Sequence, residues 1–511
     1  MLGWADGASP GTPHRSRKAV PGGRHASLAA AWKRGLPSPR PPRITRGGSV
    51  RGPRILLAWS TRLSDRDALL AVNRFGLGAA PGELERARQD ARGHVVRQIE
   101  RSLDPAGEES LRNTAQGLAL IAERRRLADL RNEALRRGEA DPGAPPIDPG
   151  ALLGEELDLS LLSAVRTTVP LTERLALYWM DHFTASGANA GFLNGGMERE
   201  AIRPRMLGPF HDLLVAAALH PSMLFYLDNR ASVGPNSRLG RSSRGRRGLN
   251  ENLGREILEL HTLGVDGGYT QEDVLALASI LTGWTVDLEE RPSQAERSGF
   301  FPERHEPGPK TLLGKTYAQD GPDQAVAALT DLARHPATAR HVTRRMVRHF
   351  VGHGLPGLEA RMAEVFRRTD GDLGAVTRAL VMDDEAWVAP RKVRPPIEFL
   401  LASARLLGGL PPRPGPRVTL SAMGQPFWGA PSPKGWPAED DAWAAPDAIK
   451  TRLDWAADLA RRLPPGLDAR ALLDTAFGPA ASVETRRAVE RASDGGQALV
   501  LLLLSPEFQR R

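Results

Sequence analysis

From about Leu63 to the C-terminus, apolar residues recur at every third and fourth position in run after run, a periodicity that dictates helices. Residues 270–282 show it best. Thr270 and Asp273 stand as a capping box, with Asp in place of the usual Glu or Gln. Val274, Leu277, Ala278 and Leu281 then fall at i, i+3, i+4 and i+7 on one stripe. Similar runs lie near 83–101, 109–137, 151–167, 171–183, 209–219, 323–334, 337–350, 357–367, 372–382, 395–407, 447–462 and 496–504. Strand-like alternation is scarce, with room for a short hairpin around "TLLGKTY" (311–317). The predicted fold is all-α, a single large multi-helix domain over 61–511 with no solenoid repeat. Irregular stretches interrupt it at 138–149, 228–249, 285–322 and 409–446. The last three exceed the roughly 12–15 residues usual for plain loops, a length at which loops are often functional or disordered.

The first sixty residues read differently. They are rich in Arg, Pro, Gly and Ser, lack apolar periodicity and are predicted to be a disordered basic tail. They hold eleven Lys/Arg and one acid, Asp6, a net of +10. The remaining chain has 58 bases against 59 acids, so the pI of 10.2 belongs to the tail. A near-neutral helical part gives no reason to expect a duplex-binding groove, and nucleic acid is not an expected partner. The tail superficially resembles a transit peptide, and equally suits a basic tether or translated upstream sequence. "ILLAW" (55–59) is too short for a secretory signal, and no window approaches the roughly 18 apolar residues of a membrane span. With no cysteine, disulfides, thiol catalysis and thiolate metal sites are excluded.

The densest chemistry lies in "GLNENLGREILELHTLGVDGGYTQEDV" (248–274), which carries six carboxylates. A helix over 250–263 places Leu253, Ile257 and Leu260 on one side and Asn252, Arg255, Glu256 and Glu259 on the other. That second face is either a reaction centre or a solvated surface of local Glu–Arg pairs. His261 projects away from it, toward the apolar stripe, where an interior histidine bonded to a buried carbonyl is the plain reading. Gly267 and Gly268 permit a sharp turn before Thr270 restarts a helix. Asp266 beside them suggests half of a calcium loop, but Thr262 and Gly264 stand where that loop needs its first oxygens.

Three further stretches are candidates. "ERLALYWMDHFTAS" (173–186) sets His182 on an apolar face, with Asp181 to its side. The loop 238–247 holds Arg238, Arg241, Arg244, Arg246 and Arg247, an anion clamp or a solvated loop. "MGQPFWGAPSPKGWP" (423–437) interleaves prolines with Phe427, Trp428 and Trp436, a stiff segment that closes over a pocket or seals core helices. No established catalytic signature appears: "HEP" at 305–307 lacks the second histidine of a zinc-protease helix, and no GxSxG, Walker loop or dinucleotide fingerprint is present.

From "AVNRFGLGAAPGEL" (71–84) to "SPEFQRR" (505–511) the chain resembles the bacterial domain-of-unknown-function 1800 family. The motifs that carry this include "REAIRPRMLGPFHDLL", "HPSMLFYLDN", "NENLGREILELHTLGVDGGYTQEDVLALASILTGW" and "HPATARHVTRRMVRHF". The resemblance implies a helical protein without an established activity or cofactor. Members are often exported and encoded beside an alkaline-phosphatase- or sulfatase-like protein, which implies an envelope partner; this chain lacks their clear signal peptide.

Two functions follow. In the first, Asn252, Arg255, Glu256, Glu259 and Asp266 build a polar pocket, with Glu256, Glu259 and His261 as catalytic candidates. His182 and His305 assist, and Arg246 and Trp428 stand at the rim. Such a pocket holds a divalent cation or runs acid/base chemistry on a polar substrate. In the second, the protein is a non-enzymatic envelope or secretion-associated scaffold, and Arg255 with Glu256 and Glu259 is an internal ionic lock.

Overall fold

The computed structural model describes residues 65–511 apart from 102–110, 142, 144–146, 188–189, 244–245, 289–297, 319, 389–390, 412–414 and 464–465. The predicted tail, residues 1–60, lies outside the described residues. The described chain is overwhelmingly helical, as the periodicity requires. No described helix is long and apolar enough to cross a membrane.

Local chemistry sets where the helices begin. Proline opens many of them, among them Pro170–His182, Pro322–Arg334, Pro336–Phe350, Pro356–Arg368, Pro396–Leu407 and Pro446–Arg462. Its fixed φ suits the first turn, and its missing N–H would be unpaired there anyway. Elsewhere a side chain caps the start: Asn113 forms a capping box with Gln116, and Thr270 forms one with Asp273. The run read as 83–101 is two helices, Glu83–Gln89 and Ala91–Ile99. Asp90 separates them, because its extended backbone and its bond from the Gly93 N–H start a new helix.

The hairpin at 311–317 forms, pairing β3 (Lys310–Leu312) with β4 (Lys315–Tyr317). Leu313 and Gly314 both take positive φ, as a two-residue turn of matching twist demands. A second hairpin, β1 (Trp284–Val286) with β2 (Ser298–Phe300), sits inside the stretch read as irregular. Short helices Arg238–Ser242 and Pro416–Ala422 interrupt the other long loops.

One apolar cluster runs from Ala68 to Phe508. Threaded through it are arginines that are almost fully buried, including Arg174, Arg394, Arg405, Arg452 and Arg511. Two of them work as internal caps. Arg405 donates to the carbonyls of Ala164, Val165 and Thr167 at the end of helix Pro149–Arg166, and Arg511 to those of His349 and Phe350 at the end of Pro336–Phe350. The last carbonyls of a helix lack intrahelical partners and carry partial negative charge, so a guanidinium with five donors satisfies them where water is absent.

Candidate functional site

The carboxylate-rich stretch is helical only for its first turn. Asn252–Glu256 is α-helical and Ile257–His261 is a π turn, a widening that occurs frequently at functional sites. The wider turn buries Leu258 together with Leu253, Ile257 and Leu260. On the outer face Asn252 and Asp266 are exposed. Arg255 pairs with Glu251 at 2.6 Å and donates to Gln271 at 3.1 Å, rather than locking Glu256 or Glu259. Glu256 is half-buried, and burial and the Glu259 charge push its carboxyl up. Burial raises the Tyr226 and Tyr269 phenols, with Glu256 and Glu259 adding to it. Arg246 is exposed and bonded to the Ser243 carbonyl, and Arg244 lies outside the described residues. No group of three or more metal-ligating side chains forms among the described residues.

His261 is fully buried against Phe183, with ring centroids 5.1 Å apart. The π turn ends in carbonyls without helical partners, and two other imidazoles supply them. His182 Nε2 lies 3.2 Å from the His261 carbonyl, and His341 Nε2 lies 2.9 Å from that of Leu260. The histidines thus fasten the end of this element to helices Pro170–His182 and Pro336–Phe350. His305, flanked by Thr282 and Lys310, belongs to the hairpin region instead.

A cavity of about 390 Å³ opens on the other side of helix Pro170–His182. That helix contributes Arg174, Tyr178 and Asp181, and helix Pro336–Phe350 contributes Arg345, Arg348 and His349. Lys392 and Glu398 stand behind them with Arg511, and the tryptophan-rich segment supplies Phe427, Trp428, Lys434, Trp436 and Trp443. Of the residues singled out as site candidates in the sequence, Trp428 lines this cavity; Asn252, Arg255, Glu256, Glu259, His261, Asp266 and Arg246 do not.

Helix geometry places the charges. Arg174, Tyr178 and Asp181 follow one another at i, i+4 and i+7, so they share a face. Glu398 sits between Arg174 at 2.6 Å and Arg511 at 2.5 Å, and these guanidiniums hold its carboxyl below the usual range despite burial. Burial pushes the Asp181 carboxyl up to about 6, opposed by the Arg345 charge and the Trp436 N–H, which donates to it at 2.8 Å. Burial, then the Arg511 charge, lowers the Lys392 amine to about 7. Its Nζ donates to the carbonyls of Arg348 and, at 2.8 Å, Ala438. His349 is driven far below the ordinary imidazole value by burial and then by Arg511.

The cover closes through one glycine. Gly435 has φ +82°, and a Cβ there would lie 2.7 Å from both the Asp181 carbonyl oxygen and Oδ1. Only glycine lets the Trp436 N–H reach the carboxylate. Trp428 also holds a positive φ of 47°, a conformation costly for an aromatic residue, with its ring 4.5 Å from Phe427. Gly435→Val is therefore expected to cost about 2–4 kcal/mol through clash and strain and to free the cover. A red-shifted tryptophan emission and new proteolytic cleavage within 423–443 are the readouts; an unchanged spectrum and digest would refute the latch.

The charges missed from sequence include Arg174, Arg345, Arg348, Lys392, Glu398 and Arg511. A signal existed for two of them: Arg174 and Glu398 stand in helices whose other residues are mostly apolar, a placement that requires a buried partner. Arg345 and Lys392 sit in generally basic runs and carry no such mark.

A family model described as a protein of unknown function (DUF1800) matches residues 70–510. No curated protein and no solved structure matches the chain.

Proposed function

The chain belongs to the DUF1800 family, and from its own side chains we propose that the tryptophan-covered cavity binds a small organic anion and exchanges protons with it. The observation that carries this is an imbalance of charge. Six Lys/Arg line the cavity against three Asp/Glu, and one of the three, Glu398, is already shared by two of the arginines. Arg345, Arg348 and Lys434 form no ion pair with a carboxylate among the described residues. A ligand carboxylate or phosphate supplies that missing charge through charge-assisted hydrogen bonds. The indoles of Trp428 and Trp436 add flat apolar surface, the usual complement to a few placed polar groups. Asp181, with its carboxyl near neutrality, is the candidate proton donor and acceptor. The Glu256–Glu259 face lies outside the ligand site in this reading.

Charge makes the test signed. Wild-type protein is expected to show saturable thermal stabilisation within a panel of 2-oxo acids, 2-hydroxy acids and sugar phosphates. Arg345→Gln weakens that binding roughly 10- to 100-fold, the loss of one charge-assisted bond. Asp181→Asn removes a negative charge and keeps an oxygen for the Trp436 N–H, so it tightens binding. Equal losses in both variants, or no stabilisation by any anion, would leave the cavity without a ligand and favour a scaffold role.

A further inference from the structure

We propose that Lys392 forms an imine with a carbonyl-bearing organic acid, such as a 2-oxo acid, in this cavity. The inference rests on the reading of the cavity as an anion site and names both the ligand class and the group that engages it.

Composition makes the position unusual. Of 69 basic residues only seven are lysines, so the chain meets nearly every need for positive charge with arginine. Arginine would also hold an anion more firmly at a bidentate site. Lysine differs in one chemical respect: its amine can lose a proton and become a nucleophile. Two of the seven line this cavity, and of those Lys434 is exposed whereas Lys392 is 7% exposed.

The surroundings of Lys392 suit the neutral amine. Two backbone carbonyls, of Arg348 and Ala438, accept from Nζ. A neutral amine has two N–H bonds and one lone pair, so two accepting carbonyls occupy both hydrogens and leave the lone pair in the remaining tetrahedral position. No carboxylate pairs with the amine among the described residues: Glu398 is engaged by Arg174 and Arg511, and Asp440 acts on it only at longer range. Arg511 and Arg174 oppose its protonation, which burial already disfavours. Lysine nucleophiles are commonly activated in this way, by desolvation beside another cation.

The step is balanced as follows. The Nζ lone pair attacks the carbonyl carbon and forms the C–N bond, while the carbonyl π pair moves onto oxygen. That oxygen takes up both amine hydrogens in sum and leaves as water, and the nitrogen closes a C=N bond. Arg345 and Arg348 provide charge for the acid's carboxylate, and Asp181 is a proton carrier in the same cavity.

The experiment treats full-length protein with pyruvate and cyanoborohydride near pH 7.5, then maps the reduced adduct by peptide mass. One adduct per chain is expected at Lys392, at least about 10-fold above Lys310, Lys315, Lys434 and Lys450. Lys310 is the stringent comparison, because burial lowers its amine too but it lies outside the cavity. Lys392→Gln keeps two N–H donors for the carbonyls and is expected to lose the adduct. Labelling that follows lysine exposure, labelling at Lys310 equal to that at Lys392, or no label at Lys392 overturns the proposal, even if the Gln variant fails to fold. Pyruvate stabilisation sensitive to Arg345→Gln but without the adduct removes the imine and leaves the anion site standing. Neither stabilisation nor adduct removes both for this ligand class.

Discussion

Acidification from pH 7 to between about pH 5 and 4 is expected to unfold the protein steeply, because its interior holds neutral histidines. His182, His220 and His261 are buried to within 7% of complete burial. His220 Nδ1 accepts from the Ser222 N–H, so that nitrogen carries no proton. Burial lowers His220 and His261 to about 3, and burial with the Arg345 and His261 charges lowers His182 far below its usual value. The unfolded imidazoles take up protons near pH 6.5, whereas the folded ones stay neutral. As pH falls through 6.5 the unfolded state therefore gains protons that the native state refuses. Each site removes about 1.4 kcal/mol per pH unit until its own folded pKa is reached. Asp181 works with the opposite sign: its folded carboxyl protonates near 6 and its unfolded one near 3.8, so between those values acid favours the fold by one proton. Three histidines less one aspartate leave a net loss of roughly 3 kcal/mol per pH unit, and His349, held far below its usual value, and His341, lowered to about 4, add to it. Against a typical total of about 5–15 kcal/mol, two pH units suffice. Circular dichroism against pH measures the midpoint, and His261→Phe, which retains the contact with Phe183, is expected to make the acid limb shallower. A wild-type midpoint below pH 3.5 would mean these imidazoles are not held neutral.

What could be read from the sequence was whatever is decided locally. Helix positions followed from apolar periodicity and, at Thr270, from a capping box; the prolines at 170, 322, 336, 356, 396 and 446 and the caps at Asn113 and Asp372 likewise act within one turn. The β3–β4 hairpin was visible because its turn is two residues long. The β1–β2 pairing was not, since three-residue strands far apart in sequence carry no alternation to read. At Ile257–His261 the apolar spacing fits an α-helix, and the π turn that buries Leu258 leaves no mark in it. The same limit governs the candidate site. Trp428 stood out because Trp, Pro and Gly cluster around it. The charges it covers come from helices Pro170–His182, Pro336–Phe350 and Pro396–Leu407, from Lys392 and from Arg511, and only tertiary packing brings them together. The acidic helix drew attention by density, but density measures how much charge is present and says nothing of whether it is paired. Unpaired charge facing a cavity is the more informative quantity, and it arises from contacts.

Replacing Glu398 by alanine is expected to cost about 3–5 kcal/mol, enough to remove most soluble protein, because it leaves two buried guanidiniums without a counter-charge. Arg174 and Arg511 are 1% and 2% exposed, so water cannot substitute for the lost carboxylate. Glu398→Gln should fare little better, since an amide keeps the shape but supplies no charge. The carboxylate's folded pKa lies below its unfolded one, so its contribution is full above about pH 4.5 and fades as pH falls through the folded value. It therefore weakens only after the histidines have begun to act. An apolar replacement of the whole triad, Arg174→Met with Glu398→Leu and Arg511→Leu, separates two causes. If charge compensation were all that mattered, the triple variant would recover wild-type stability, as buried ion networks often do. Here recovery is expected to be partial. Arg511 also donates to the His349 and Phe350 carbonyls, and Arg174 to those of Asn73 and Gly76. Without them those helix-end acceptors stay buried and unpaired, at about 1–3 kcal/mol each. A chemical-denaturation midpoint between the Glu398→Ala and wild-type values supports that dual role. Full recovery would show that the arginines serve the carboxylate alone, and that the buried carbonyls find other donors when they are gone.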